Sequence, residues 1–135
     1  GSCYTSTLAH LSVKGIAAAI AATRPEVPKV FIGNILECPE TTGRSLAELI
    51  QAFETAGGPG LLTHVFVNRG WVPFERVAKG FRYLPEGSGT LAPQVVADDF
   101  EDPWNRGRHD APKVVATLLH LLTGASPDPS APAGG

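Results

Sequence analysis

Two stretches of this chain hold residue types suited to gripping an anion. The first is Gly1-Ser2-Cys3-Tyr4-Thr5-Ser6. Its glycine lets backbone approach a ligand, the hydroxyls of Ser2, Thr5 and Ser6 donate hydrogen bonds, and a helix-forming run follows at once. Unpaired N–H groups and the dipole at a helix start favour an anion, phosphate above all. The same residues equally suit a plain helix start capped by Ser6 or Thr7, and Gly1-Ser2 also reads as a cloning scar. The second stretch is Arg108-His109-Asp110. Arg108 offers a planar fork for phosphate or carboxylate, and Arg106 adds a nearby charge. His109 suits an acid, a base or a hydrogen-bond donor. Asp110 suits the cap of the helix that follows.

Weaker candidates lie between them. Asn34 and Asn68 each follow an apolar run, where an amide can read a base or sugar, or simply make a turn. Asp98 and Asp99 suit a metal shared with substrate phosphates, or a solvated strand end. Several sharper signatures are missing: no G-x-G-x-x-G, Walker A, G-x-S-x-G or H-E-x-x-H occurs. A phosphatase loop around Cys3 would need an arginine six positions on, where Ala9 stands. The four histidines and two cysteines show no metal-ligand spacing, so Cys3 and Cys38 read as buried or partly buried small residues.

The elements that must position these groups follow from periodicity. Residues 16–22 (Ile-Ala-Ala-Ala-Ile-Ala-Ala) favour helix, with Gly15 dividing it from an earlier helical piece and Pro25 and Pro28 ending it. Lys29-Val30-Phe31-Ile32, Leu61 to Val67, and Gln94-Val95-Val96-Ala97 are short apolar runs of the kind buried on both faces of a parallel sheet. Leu46, Leu49, Ile50 and Phe53 repeat at helical spacing behind a Ser45-Leu46-Ala47-Glu48 capping box, and Gly57-Gly58-Pro59-Gly60 stops that helix. Asp110 opens a second amphipathic helix carrying Val114, Val115, Leu118, Leu119 and Leu122. The stretch 71–93 is ambiguous, with one helix drawn over Phe74 to Phe81. Alternating strands and helices predict an α/β, Rossmann-like three-layer fold with a mostly parallel sheet, over residues 1–123. Residues 124–135 form a low-complexity tail with nothing to pack, expected to be disordered. In such sheets ligands sit beyond the carboxyl ends of the strands, so the loops after Ile32, Val67 and Ala97 are the expected rim.

Composition bounds the partners. The chain has 135 residues, a net charge of −2 and 11 basic against 13 acidic side chains, which argues against nucleic acid. With 43% hydrophobic and 18% charged residues a core is affordable, while 15 Gly and 12 Pro, one residue in five, imply long loops. No apolar run approaches the roughly 18 residues of a membrane span, and two cysteines make no disulfide scaffold. The expected setting is cytoplasmic, without membrane association. The chain holds no Met and opens inside a motif, so it reads as a fragment.

Three passages, in order, resemble one family. Gly1 to Leu8 (G-S-C-Y-T-S-T-L) with Val13-Lys14-Gly15-Ile16 is similar to the pattern G-S-L-Y-T-S-I-L followed by V-P-G-I. Val30 to Gly43 resembles a strand ending in N-(I/V)-M-T-Q-P-G-E-T-D-G, and Arg108-His109-Asp110 resembles a closing R-H-D. The family is the CofD-like superfamily, with the bacterial gluconeogenesis factor (YvcK type) and the 2-phospho-L-lactate transferase of deazaflavin-coenzyme synthesis. Departures are Cys3 for a usual Leu, Arg44 for an aromatic, and no glycine between Pro39 and Glu40. The resemblance is closer to the gluconeogenesis-factor branch, and implies a Rossmann-like nucleotide-binding fold whose N-terminal half is absent. It also implies a regulatory protein of cell shape and carbon flux that binds a nucleotide sugar, notably a UDP-sugar, or another phosphate-containing small molecule. Ligand contacts are then expected from Gly1, Ser2, Tyr4, Thr5, Ser6, Asn34, Asn68, Arg108 and His109, with no assigned catalytic residue. The alternatives are a transferase, which alone would need a divalent metal, and a structural remnant without ligand. The reading also admits a homo-oligomer.

Overall fold

The computed structural model describes residues 2–70 and 82–124. The helix drawn over Phe74 to Phe81, the residue Gly1 and the tail 125–135 lie outside the described residues. Three parallel strands, β1 (Val30–Ile32), β2 (His64–Asn68) and β3 (Gln94–Asp98), form one sheet in the order β1-β2-β3. Val30 pairs with His64, and His64 with Gln94, so the three strands end on one common rim. The α/β, partial Rossmann-like architecture expected from the alternation of elements is what the structure has.

Side chains alternate across β2 and so divide the core into two layers. Val65 and Val67 face helix α2 (Leu46–Gly57), whose Leu46, Leu49, Ile50 and Phe53 are all buried at the spacing of one helical stripe. The Phe31 and Phe53 rings meet there with centroids 4.8 Å apart. Phe66 faces the other way. It stacks on Phe100 at 5.3 Å beneath helix α3 (Ala111–Thr123), which inserts Val114, Leu118 and Leu121. Burial on both faces holds for the central strand β2, where Val65 to Asn68 are all buried; in the outer strands it fails, since Ile32 of β1 is exposed and β3 has no buried residue.

Helix boundaries follow local chemistry. The Ser45 hydroxyl accepts the Glu48 N–H at 3.3 Å while the Glu48 carboxylate accepts the Ser45 N–H at 2.8 Å, the reciprocal pair predicted for that capping box. Asp110 caps α3 through the Lys113 N–H at 3.2 Å, and Gly124 closes it in a left-handed conformation with its N–H on the His120 carbonyl. Gly15, also left-handed, separates a 3-10 turn (Leu8–Ser12) from α1 (Ile16–Ala21), as predicted.

Two boundaries differ from the sequence reading. The strand drawn from Leu61 begins only at His64, because Leu61 packs against the backbone of Gly57 and Thr63 uses its hydroxyl to accept the Lys29 N–H. The N-terminal helix starts earlier than a Ser6 or Thr7 cap would allow. A π-helical turn already spans Cys3–Thr7, Ser2 is its first flanking residue, and no side chain caps it.

The two-layer core sets a stability contrast. Leu49, with no exposed surface, sits at the centre of the α2 layer, whereas Leu119 on α3 is 55% exposed. Leu49→Ala should destabilise by about 2–5 kcal/mol, and Leu119→Ala by less than about 0.5 kcal/mol. Chemical denaturation of the two variants measures both.

Candidate functional site

The loop after β1, residues 33–44, is the platform of the candidate site. It starts at Gly33, whose N–H continues the sheet by donating to the Phe66 carbonyl at 2.9 Å. A Cβ at Gly33 would meet that same oxygen at 2.9 Å and Leu46 at 3.2 Å, so only glycine lets the chain leave the sheet this close to β2. Residues 35–37 then run beside 82–84, with Leu84 N–H on the Ile35 carbonyl and Glu37 N–H on the Arg82 carbonyl. The turn that follows closes on Thr41, which is buried. Its hydroxyl accepts the Cys38 N–H at 2.9 Å and lies 3.4 Å from the Cys38 sulfur.

The opening turn docks on this loop. The Ser2 hydroxyl donates to the Glu40 carboxylate and lies 3.6 Å from the Cys38 sulfur, and the Thr5 N–H donates to the same carboxylate at 3.3 Å. Ser6 and Thr7 donate their N–H groups to the Ser2 carbonyl, so the turn's remaining donors are partly used within it. An anion therefore already stands where the sequence predicted one, and it belongs to the chain itself. The Ser2 hydroxyl, then Thr5, hold the Glu40 carboxyl below its ordinary pKa. Tyr4 is half-buried against the α2 layer, while Thr5 and Ser6 are exposed.

The Arg108-His109 turn reaches the other end of the same loop. The His109 ring donates from Nε2 to the Gly33 carbonyl at 3.0 Å, since a carbonyl can only accept. At Gly107, in a left-handed conformation, a Cβ would lie 2.4 Å from Leu36. Backbone pairing of Glu101 with His109 makes 101–109 a hairpin-like turn, and the Asp110 N–H returns to the Phe100 carbonyl. The Arg108 side chain is exposed, and its guanidinium makes no ion pair with a described residue. Arg106 is different. It pairs at 2.8 Å with Glu101, a carboxylate with no exposed surface, and so is not the second anion contact the sequence suggested.

The two asparagines have distinct settings. Asn68 is buried, and its side-chain oxygen accepts the Phe100 N–H at 2.8 Å, fastening the end of β2 to the chain beyond β3. Asn34 is half-buried on the rim and lines, with Asn68, Arg69 and Glu86, a cavity of about 30 Å³. That volume suits a water and not a nucleotide, so any ligand of that size lies across the rim. Arg69 and Glu86 grip each other through two bonds of 2.7 and 3.1 Å. A larger cleft, about 620 Å³, lies along the outer side of α2 near Ser88 and Thr90. Its Glu48 and Glu54 repel an anion, and it holds none of the predicted site residues. The start of α2 is also closed, because Leu46 and Ala47 donate their N–H groups to the Pro85 and Glu86 carbonyls.

Asp98 and Asp99 serve their own loop: Asp98 accepts the Asp99 N–H, and Asp99 accepts the Glu101 N–H and meets Lys113 at 3.5 Å. Among the described residues no group of three His, Cys, Asp or Glu side chains is arranged to hold a metal. Reasoning from sequence passed over Glu40, Thr41, Tyr83 and Glu101. For Glu40 and Thr41 the available signal was their place in the family-like passage after β1; for Tyr83 and Glu101 the chain offers none.

The two thiols differ in a testable way. Burial, then the neighbouring Cys38 and Glu40, push the Cys3 thiol up to about 11. Burial also pushes Cys38 upward, but the hydroxyls of Thr41 and Ser2 and nearby backbone N–H groups outweigh it and leave that thiol below its ordinary value. Alkylation proceeds through the thiolate, so iodoacetamide at neutral pH should label Cys38 first and Cys3 only on unfolding or in strong alkali. Peptide mass spectrometry reads the order; equal labelling would contradict it.

A family model described as 2-phospho-L-lactate transferase CofD matches residues 1–101. Arg108 and His109 lie beyond that match. No curated protein matches the chain in sequence. Among solved structures, a member of the UPF0052 family from Bacillus halodurans is similar with a TM-score of 0.75 and 25% identity, over 88% of this chain and 40% of the other. This chain thus spans less than half the length of that neighbour. The sequence match over three quarters of the chain and the shared parallel-sheet fold agree: the chain belongs to the CofD family.

Proposed function

We propose that this chain is the nucleotide-sugar-binding part of a cytoplasmic regulatory protein of the gluconeogenesis-factor type, with a UDP-sugar as its ligand. The observation that carries this reading is the shared platform. The loop after β1 receives the Ser2–Thr5 turn at Glu40 and the Arg108–His109 turn at Gly33 and Leu36. Hydrogen-bond donors gathered around one carboxylate suit a phosphate in its place, since both are oxyanions that accept from O–H and N–H groups. In this reading the phosphate takes the Ser2 and Thr5 donors from Glu40, and the Arg108 fork, which has no ion pair among the described residues, closes on it. Tyr4 and Ser6 belong to the same turn, Asn34 faces the sugar or base, and His109 holds its loop through Gly33. Asn68 contributes by keeping the rim in shape.

The family's description as 2-phospho-L-lactate transferase supports a second reading, a phospholactate-type transferase. That chemistry takes a divalent metal, which polarises the phosphate, and acidic residues to hold it. The described residues do not provide such a set, so no step of that kind is derived from them. No helix among the described residues is long and apolar enough to cross a membrane.

Isothermal titration with UDP-N-acetylglucosamine tests the proposal. Arg108→Ala should weaken binding by about 1.5–3 kcal/mol, the value of a charge-assisted bond. Glu40→Gln should strengthen it, because an amide competes less well than a carboxylate for the same donors. No heat with any uridine nucleotide would end the proposal, and unchanged affinity of Arg108→Ala would remove that residue from the site.

A further inference from the structure

Glu101 has no exposed surface, yet it is the hub of the turn that bears Arg108 and His109. Its carboxylate accepts the Tyr83 hydroxyl at 2.9 and 3.2 Å and the Gly107 N–H, and it pairs with Arg106 at 2.8 Å. Its backbone carbonyl accepts from Lys113 at 3.1 Å, and its backbone pairs with His109. Every one of these partners either lies in the 101–109 turn or braces it against the rest of the fold. Tyr83 is the brace from the platform side, since its own backbone pairs with Leu36.

A buried ion pair gains little net stability over an apolar replacement, because desolvating both charges offsets their attraction; its best-attested use is to select one arrangement over others. The turn between Glu101 and Asp110 is short of apolar anchors: Trp104 is 91% exposed, and residues 103–105 and 108–109 are exposed. What selects its conformation is therefore polar. Asp102 orders the tip by accepting the Trp104 and Asn105 N–H groups, at 2.7 and 3.0 Å. Glu101 fixes the base, and with it Arg108 and His109, which lie just before the Asp110 cap of α3.

From this geometry we infer that Glu101 is the positioning residue for the Arg108–His109 turn, setting the direction of the Arg108 fork without touching ligand. The inference rests on the proposed phosphate site for its binding consequence. Its structural consequence, the docking of His109 on Gly33, stands apart from any ligand.

Two readouts on the full chain separate these. The first is a double-mutant cycle with UDP as the probe. Glu101→Gln should raise the dissociation constant about tenfold in the native background but less than about twofold when Arg108 is already Ala, because a residue acting only through Arg108 has nothing left to position. A general loss of folding would weaken both backgrounds alike. The second readout is ligand-free: nuclear Overhauser contacts between the His109 ring and the Gly33 and Asn34 backbone, present in the native chain, should be lost in Glu101→Gln. Should that variant fail to fold, Tyr83→Phe removes one donor to the carboxylate, keeps the ring, and should give smaller changes in the same directions. Retained His109 contacts, or an equal loss of affinity in both backgrounds, would overturn the inference. If the native chain fails to bind UDP, the proposed function falls, and the His109 contacts alone decide the role of Glu101.

Discussion

The arrangement depends on Gly33. Its N–H extends the pairing of β1 with β2 by one residue, and its carbonyl, facing the other way, accepts from His109. One residue thus joins the sheet to the turn before α3, across 76 residues of sequence. The absence of a side chain makes this close approach feasible, since Phe66 and Leu46 fill the space a Cβ would need. Everything on the rim is referred to this point: residues 34–44 leave from it, the opening turn docks on them, and the Arg108 turn locks against them.

The electrostatics of the rim are more balanced than residue types alone imply. Arg69 is held by Glu86, Arg106 by Glu101, and the Ser2 and Thr5 donors by Glu40. Arg108, by contrast, has no acidic counterpart among the described residues. An incoming phosphate would therefore exchange with a carboxylate, with no ready-made positive basin to enter. Such an exchange is favourable only where the ligand carries more charge or more acceptor atoms than the carboxylate it displaces, as a diphosphate does.

Much of the fold was legible because its signals are local. The Ser45 capping box, the Asp110 cap and the helical stripe at Leu46, Leu49, Ile50 and Phe53 each lie within a few residues of sequence, and each is present. The strands were legible as apolar runs, although only the central one is buried on both faces and His64–Asn68 is shifted from Leu61–Val67 because Leu61 and Thr63 answer to other partners. The contacts around the loop after β1 were legible only in part. Ser2, Thr5 and His109 meet one loop, but Glu40 lies 38 residues from Ser2 and Glu101 draws on Tyr83 across 18 residues, so neither organising group shows in local sequence. An acidic run such as Asp98-Asp99-Phe100-Glu101-Asp102 gives no hint that Glu101 is sealed from solvent while its three aspartates are not. The opening turn was misjudged for a related reason: its geometry answers to Glu40 more than to the hydroxyls that would cap a helix.

The direct test of a single rim served by two turns is the pattern of amide shifts in ¹H–¹⁵N spectra as UDP is added. The account predicts concerted changes at Thr5, at Gly33 to Glu40, and at Gly107 to His109, with the end of α2 unmoved. Changes confined to Glu48, Gln51 and residues 87–92, along the outer side of α2, would contradict it.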